Sequence, residues 1–304
     1  MRALFCLILA FILTFGYGRP NFDDQKVLEN IIEQAVKLEA VKKADGTTQY
    51  FEPLELSPYK GSGWGVVYHK NQKVSSLLQF KGGILSGFAT TWYENGQKEA
   101  ELNFKDGQPD GLIILWYENG QKQIEANYKN GKEDGLANSW YENGKKQEVV
   151  NYLDGKRIGV VTNWYDNGQI KLKMNYKNGL KEGSATEWFE NGQKKEVQEF
   201  QNGKRVGLTT QWYDNGQKKG ELNYKDGKQN GLATKWFESG QKQGEIPYKN
   251  GIKDGFQTIW YENGKKNTEV NFKDGKLEGV SILYNEDGAE YERRTYKDGE
   301  LVED

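Results

Sequence analysis

One residue type recurs at a fixed step through most of this chain. Tryptophan stands at 92, 116, 140, 164, 188, 212, 236 and 260, each 24 residues after the last. Tyr68 and Tyr284 hold the same column one step before and one step after. Two glycine columns keep the same period, one from Gly63 through Gly87 and Gly111 to Gly279, the other from Gly83 through Gly107 and Gly131 to Gly299. An aromatic column runs Phe80, Phe104, Tyr128 and on to Tyr296. Ten copies of a 24-residue unit therefore cover 63–302 without insertion or deletion. A fixed period of this kind marks an array in which each unit packs on its neighbours instead of into one central core.

Each unit reads as two strands and two tight turns. In residues 87–110, Phe88 to Tyr93 is a short run rich in threonine and aromatics, and Lys98 to Phe104 alternates in the same way. Asn95-Gly96 separates the two strands and Asp106-Gly107 follows the second. Both pairs accept the positive φ of a type I′ hairpin turn. Consecutive hairpins make neighbouring strands antiparallel and adjacent, so the array is expected to be one meander of about twenty strands, ~95 Å long if unrolled at ~4.8 Å per strand. With two-residue loops, Tyr93 faces Lys98, Ala89 faces Leu102 and Gly87 faces Phe104. One face then carries Tyr93, Leu102 and Phe104, with Gly87 leaving room for the ring beside it. The other carries Phe88, Thr90 and Trp92 against Glu99, Glu101 and Asn103. Three-residue turns with a bulge would shift this register by one and change the faces.

Residue counts narrow the chemistry. Nine Trp and 18 Tyr are too many for a disordered chain. The chain has one cysteine, Cys6, and one histidine, His69, which excludes an internal disulfide and a Cys/His zinc site. The formal charge is −2, from 42 basic and 44 acidic residues, and gives no drive toward nucleic acid. No phosphate-binding loop, zinc-protease or nucleophile-elbow motif occurs. No catalytic residue, metal site or cofactor is therefore expected. His69 falls where other copies have tyrosine, as at Tyr93, and reads as a substituted turn-flanking position.

Three segments follow: 1–18, 19–62 and 63–302. Met1-Arg2 and the apolar run Ala3 to Phe15 resemble a secretory signal, with Gly16 and Gly18 placing cleavage before Arg19. The run is shorter than the ~20 residues that span a bilayer, so no stable membrane span is expected after cleavage. Residues 21–46 read as one amphipathic helix, capped by Asn21 or Asp23 and ended by Gly46, with Val27, Leu28, Ile31, Ile32, Ala35, Val36 and Leu38 on one face. Lys42 and Lys43 suit the negative end of its dipole. A connector with Pro53 and Pro58 leads into the array.

The unit W-[YF]-[ED]-N-G-[QK]-K, followed by aromatic-K-[DN]-G, resembles the MORN repeat in its bacterial variant form. Related proteins are often labelled YwqK-type antitoxin components. The resemblance implies an all-β fold: an elongated, single-layer antiparallel β-meander of ten MORN-like repeats, preceded by a short N-terminal α-helix and used as a scaffold. It implies no catalytic residues. The end copies depart from the pattern, with Tyr68 and Tyr284 for Trp and Asn71-Gln72 for Asn-Gly, as terminal capping units do.

The tryptophans Trp92, Trp116, Trp140, Trp164, Trp188, Trp212, Trp236 and Trp260 are the candidate binding residues, as regularly spaced rings that stack on an extended partner. The same rings can serve only to pack repeat on repeat. The acids beside the turns lack the spacing of calcium loops. The resulting expectation is a secreted, periplasmic or cell-surface scaffold that binds a protein or an envelope polysaccharide. The alternative is a cytosolic antitoxin that neutralises a toxin by contact.

Overall fold

The computed structural model describes residues 20–42, 48–51 and 60–302. The expected signal segment, Gly46, Lys43, Pro53 and Pro58 lie outside these. The chain divides into two compact units, 1–132 and 133–304. Among the described residues, no helix is long and apolar enough to cross a membrane.

In the first unit, α1 (Gln25–Gln34) is followed by β1 (Val36–Lys37), the hairpin β2 (Glu39–Lys42) and β3 (Thr48–Phe51), and the repeat strands β4 (Gly63–Tyr68) and β5 (Val74–Lys81). Next come β6 (Ile84–Trp92), β7 (Lys98–Lys105), β8 (Gln108–Pro109), β9 (Gly111–Trp116) and β10 (Lys122–Lys129). Successive repeat strands pair antiparallel. The second unit carries the same pattern from β11 (Lys132–Trp140) to β28 (Glu300–Leu301). The fold is thus the all-β meander of repeated hairpins, each repeat contributing two strand positions.

The two turns of a repeat are not alike. Asp106 and Gly107 have φ of +50° and +81° and join Lys105 to its partner Gln108, the type I′ turn expected. At Asn95-Gly96 only the glycine is left-handed, at φ +93°. Gly96 N–H donates to Tyr93 O and Tyr93 N–H to Gln97 O, both at 2.9 Å. This is a type I turn with a bulged glycine, which replaces the type I′ turn read from the sequence. Asn95 Oδ1 accepts from Gln97 N–H at 2.8 Å and holds the asparagine in that turn.

The bulge explains the register. Gly87 faces Phe104 and Ala89 faces Leu102, as expected, but Trp92 then faces Lys98, and Glu99 is the extra residue. The expected pairing of Tyr93 with Lys98 does not form. Glu99 leaves the tryptophan face for that of Tyr93, whose hydroxyl pKa is raised by burial, then by Glu99 and Glu118. Its equivalents Lys171, Lys195 and Lys219 lie over the rings of Tyr165, Phe189 and Tyr213.

A second bulge sits at the glycine column. Between the pairs Leu78–Ala89 and Phe80–Leu85, three residues centred on Gly87 oppose Gln79. Gly87 has φ +109°, and a Cβ there would lie 1.8 Å from Gln79 Oε1, which accepts from Phe88 N–H. The glycine is required by backbone sign and by this side chain; at the equivalent Gly63, Gly159 and Gly207 a Cβ would meet nothing within 4 Å, so room for the neighbouring aromatic ring is not what the column supplies there.

Buried clusters lie on the face of Ala89, Leu102 and Phe104, and in the first unit also on the opposite face, where Phe22, Val66, Leu77 and Trp92 come together. Leu38, Leu78, Phe80 and Ala89 form one buried cluster in the first unit, and Met174, Ala185 and Phe200 another in the second.

The N-terminal helix is shorter than the apolar spacing suggested. Asp24, not Asn21 or Asp23, caps it by accepting from Lys26 and Val27 N–H, and it ends at Ala35 in extended conformation. Val36, Leu38 and Lys42 belong instead to strands or their joint. β1 pairs parallel with β4, and Leu38 N–H donates to Val66 O at 2.7 Å. Leu38 fills the space left by Gly65, where a Cβ would lie 2.4 Å from Leu38 Cδ1. β-Branched Val36 and the alternation of 36 and 38 fit a strand as well as a helix, and burial beside the edge strand decides between them.

Candidate functional site

The face opposite that of Ala89, Leu102 and Phe104 carries the tryptophans. Along it, three columns lie side by side in each repeat. The first follows the bulged glycine, as in Phe88, Leu112, Leu136, Val160, Leu208, Leu232, Phe256 and Val280. The second is the Trp column. The third is a lysine column across the hairpin, such as Lys98, Lys122, Lys218, Lys242 and Lys266.

The lysines pair with a glutamate three residues on. Lys218–Glu221, Lys242–Glu245 and Lys266–Glu269 are 2.5–2.6 Å apart. In an unbroken strand, residues i and i+3 point to opposite faces. The bulge residue between them brings both to one face. Two of these lysines lie over tryptophans: the Lys218 ammonium is 5.8 Å from the Trp236 ring centre, and that of Lys242 is 5.5 Å from Trp260. Burial raises the Glu269 carboxyl, but hydrogen bonds from Lys266 and Tyr284 outweigh it and hold the group below its ordinary value.

The tryptophans differ in exposure. Trp92 is buried, at 8 %, while Trp116, Trp140, Trp164, Trp188, Trp212, Trp236 and Trp260 are half-buried. Their backbone carbonyls are also tied down. Tyr93 Oη donates to Trp116 O, Tyr141 to Trp164 O, Tyr165 to Trp188 O and Tyr213 to Trp236 O, at 2.7–2.9 Å. His69 Nε2 lies 2.8 Å from Trp92 O, so its ring N–H makes the bond that tyrosine makes elsewhere. The histidine is a link between repeats.

A second link runs along the turns. Asn95 Nδ2 donates to Glu118 O, Asn143 to Asp166 O, Asn167 to Glu190 O and Asn215 to Glu238 O. The asparagine of each Asn-Gly pair thus closes its own turn and holds the next. Reading the pair only as a turn signal missed this ladder, although a conserved spacing of 24 between equal asparagines in this one chain is its signal.

The exposed apolar column was also missed as a column. The sequence reading places only Phe88 of this column on the tryptophan face. Val160 is 59 % and Phe256 55 % exposed, and Leu136, Leu208, Leu232 and Val280 are exposed as well. Strand alternation with apolar residues on both faces was the available signal. Among the described residues there is no group of three or more His, Cys, Asp or Glu placed to hold a metal. The face offers apolar contact, cation–π contact and paired charge, which suit binding.

Comparison with known proteins adds the following. The profile described as MORN repeat variant matches residues 89–106, 109–130, 133–154, 157–178, 181–202, 205–226, 229–250 and 253–274. No curated protein matches the chain. Among solved structures, the chain is similar to one titled "Crystal Structure of TcdB2-TccC3", at 10 % identity over 87 % of this chain and 17 % of that one, with a TM-score of 0.20. It is also similar to "Crystal Structure of TcdB2-TccC3-TEV", at 12 % identity over 86 % of this chain and 14 % of that one, with a TM-score of 0.19. The chain spans less than a fifth of the length of these structures, and likeness at this level carries no argument about function.

Proposed function

This chain belongs to the MORN repeat variant family, and on that premise we propose that it is an exported, non-enzymatic scaffold that binds a protein or an envelope polysaccharide along its repeats. The observation that carries the reading is the tryptophan face. It carries a tryptophan once per 24 residues from Trp92 to Trp260, beside apolar and lysine columns that most repeats keep, Ser184 and Ile170 being exceptions, on a hydrogen-bonded frame. Weak contacts to an extended partner then add over several repeats. In the second unit the half-buried Trp140, Trp164, Trp188, Trp212, Trp236 and Trp260 are the rings open to such a partner. Export rests on the charged start and apolar run of residues 1–18.

Two measurements test this. Capture of partners from envelope fractions by the wild type and by Trp140→Ala, Trp164→Ala and Trp188→Ala tests binding. A changed partner set with retained folding supports it; an unchanged set with lost stability reduces the column to packing. Intact mass of the protein from separated cell fractions tests export. A chain beginning near Arg19 outside the cytoplasm supports it. A chain beginning at Met1 in the cytoplasm refutes it and favours the antitoxin reading.

A further inference from the structure

We propose that the tryptophan face of residues 207–302 docks an acidic amphipathic helix of a partner protein, an inference that rests on the scaffold reading above. The protein itself shows what covers this face. In the first unit, α1 lies on it. Phe22, Leu28, Ile31 and Ala35 pack against Val66, Leu77 and Trp92, and Phe22 meets the Trp64 ring edge-on at 5.9 Å. Asp23, at the start of the helix, is 2.6 Å from Lys98 on β7, while β1 after its end pairs with β4. The ten residues of α1, about 15 Å long, therefore cross from β7 to β4, about 14 Å away.

The residues that meet α1 are shared in part with the uncovered repeats: Trp64, Trp92 and Lys98 fall in the columns of Leu232, Trp236 and Lys242, whereas Val66 and Leu77 have Thr234 and Glu245 as their equivalents. Thr90, Trp92, Lys98 and Glu101 correspond to Thr234, Trp236, Lys242 and Glu245, and to Thr258, Trp260, Lys266 and Glu269. Under α1, Thr90, Trp92 and Glu101 are buried. In the second unit Trp236 and Glu245 are half-buried, and the neighbouring Leu232 and Phe256 are exposed. Trp92 and Glu101 are thus buried where their equivalents Trp236, Trp260, Glu245 and Glu269 are half-buried; Thr258 is buried like Thr90.

Charge defines the helix that fits. Lys98 holds two carboxylates at once, Glu101 at 2.8 Å and Asp23 at 2.6 Å. Burial pulls its pKa down, and these two hydrogen bonds more than restore it. Lys218, Lys242 and Lys266 each hold the internal glutamate in the same way, and an ammonium has donors for a second carboxylate. Opposite these lysines, the exposed Leu208, Leu232, Phe256 and Val280 form the apolar stripe. From β17 (Lys204–Trp212) to β26 (Gly279–Tyr284) is six strand steps, about 29 Å, which a helix of about 19 residues spans.

The probe is a fluorescein-labelled peptide copying residues 20–36, titrated into the full chain and followed by anisotropy. We expect saturable binding that Leu232→Asp/Phe256→Asp weakens at least tenfold and that Asp→Asn changes in the peptide or added salt weaken several-fold. Both substituted side chains are exposed, and an unchanged urea midpoint shows that the variant folds. Absence of saturable binding, or binding unchanged by the double variant, overturns the proposal. So does sedimentation with phosphatidylglycerol vesicles, or self-association, that the double variant abolishes, because lipid or a second copy is then the occupant. Loss of the peptide result while Trp140→Ala, Trp164→Ala and Trp188→Ala still change the captured partners refutes the helix and leaves the scaffold reading standing.

Discussion

The tyrosine ladder is open to a test in both directions, because the chain contains natural controls. Tyr165 and Tyr213 donate to Trp188 O and Trp236 O at 2.7 and 2.9 Å, whereas Phe189 and Phe237 hold the same position without a hydroxyl. The two phenylalanines show that the ring alone fits. Tyr165→Phe and Tyr213→Phe each remove one partly buried hydrogen bond, whose net contribution is about 1 kcal/mol. The two sites lie two repeats apart and share no partner, so the double variant should lose about 2 kcal/mol. Conversely, Phe189→Tyr and Phe237→Tyr should each gain about 1 kcal/mol, by placing a hydroxyl against Trp212 O and Trp260 O. For a domain of this size, 1 kcal/mol corresponds to about 2–4 °C in melting temperature. Urea unfolding followed by tryptophan fluorescence measures both series, with the denaturant slope checked for constancy. If the Tyr→Phe variants match wild type, or if the Phe→Tyr variants gain nothing, the hydroxyl–carbonyl ladder contributes no stability and ring packing alone joins the repeats.

Three further outcomes are expected. Asn167→Ala removes both its turn bond to Gln169 N–H and its donation to Glu190 O and should cost about 1–2 kcal/mol; Asn167→Asp keeps the first bond, so only the alanine variant should speed hydrogen exchange at the Gln169 amide. Gly159→Ala, at φ +67° with open space around it, should cost about 1–2 kcal/mol, and Gly87→Ala, whose Cβ would meet Gln79, should lower the melting temperature further. Glu269 is held below its ordinary pKa, so its contribution to stability is complete above the unfolded value near ~4.3 and is lost as pH falls through the lower folded value; Glu269→Gln should flatten this part of an acid-unfolding profile, and an unchanged profile would show that the Lys266 and Tyr284 bonds are not coupled to folding.

Much of this was legible in the residues. The 24-residue period, the strand pairs Gly87–Phe104 and Ala89–Leu102 and the type I′ turn at Asp106-Gly107 follow from the spacing of turn residues and alternating side chains. Others were not. Asn-Gly serves two turn types, and the choice at Asn95-Gly96 depends on the bonds Asn95 makes to Gln97 and, across the repeat, to Glu118. Val36 and Leu38 fit helix or strand until the edge of β4 and the space beside Gly65 become available.

The same division holds for the candidate site. Sequence alone determined that the chain is an array of hairpins with a tryptophan in each of eight repeats, because turn preference and side-chain alternation are properties of a residue and its near neighbours. Only the tertiary structure decided that Lys98 and Glu101 share a face and that α1 buries Trp92, while Leu232 and Phe256 stay exposed. A bulge shifts every side chain beyond it, and coverage depends on what a distant segment packs against. Residues that recur in several repeats do not themselves say which of the copies a distant segment covers.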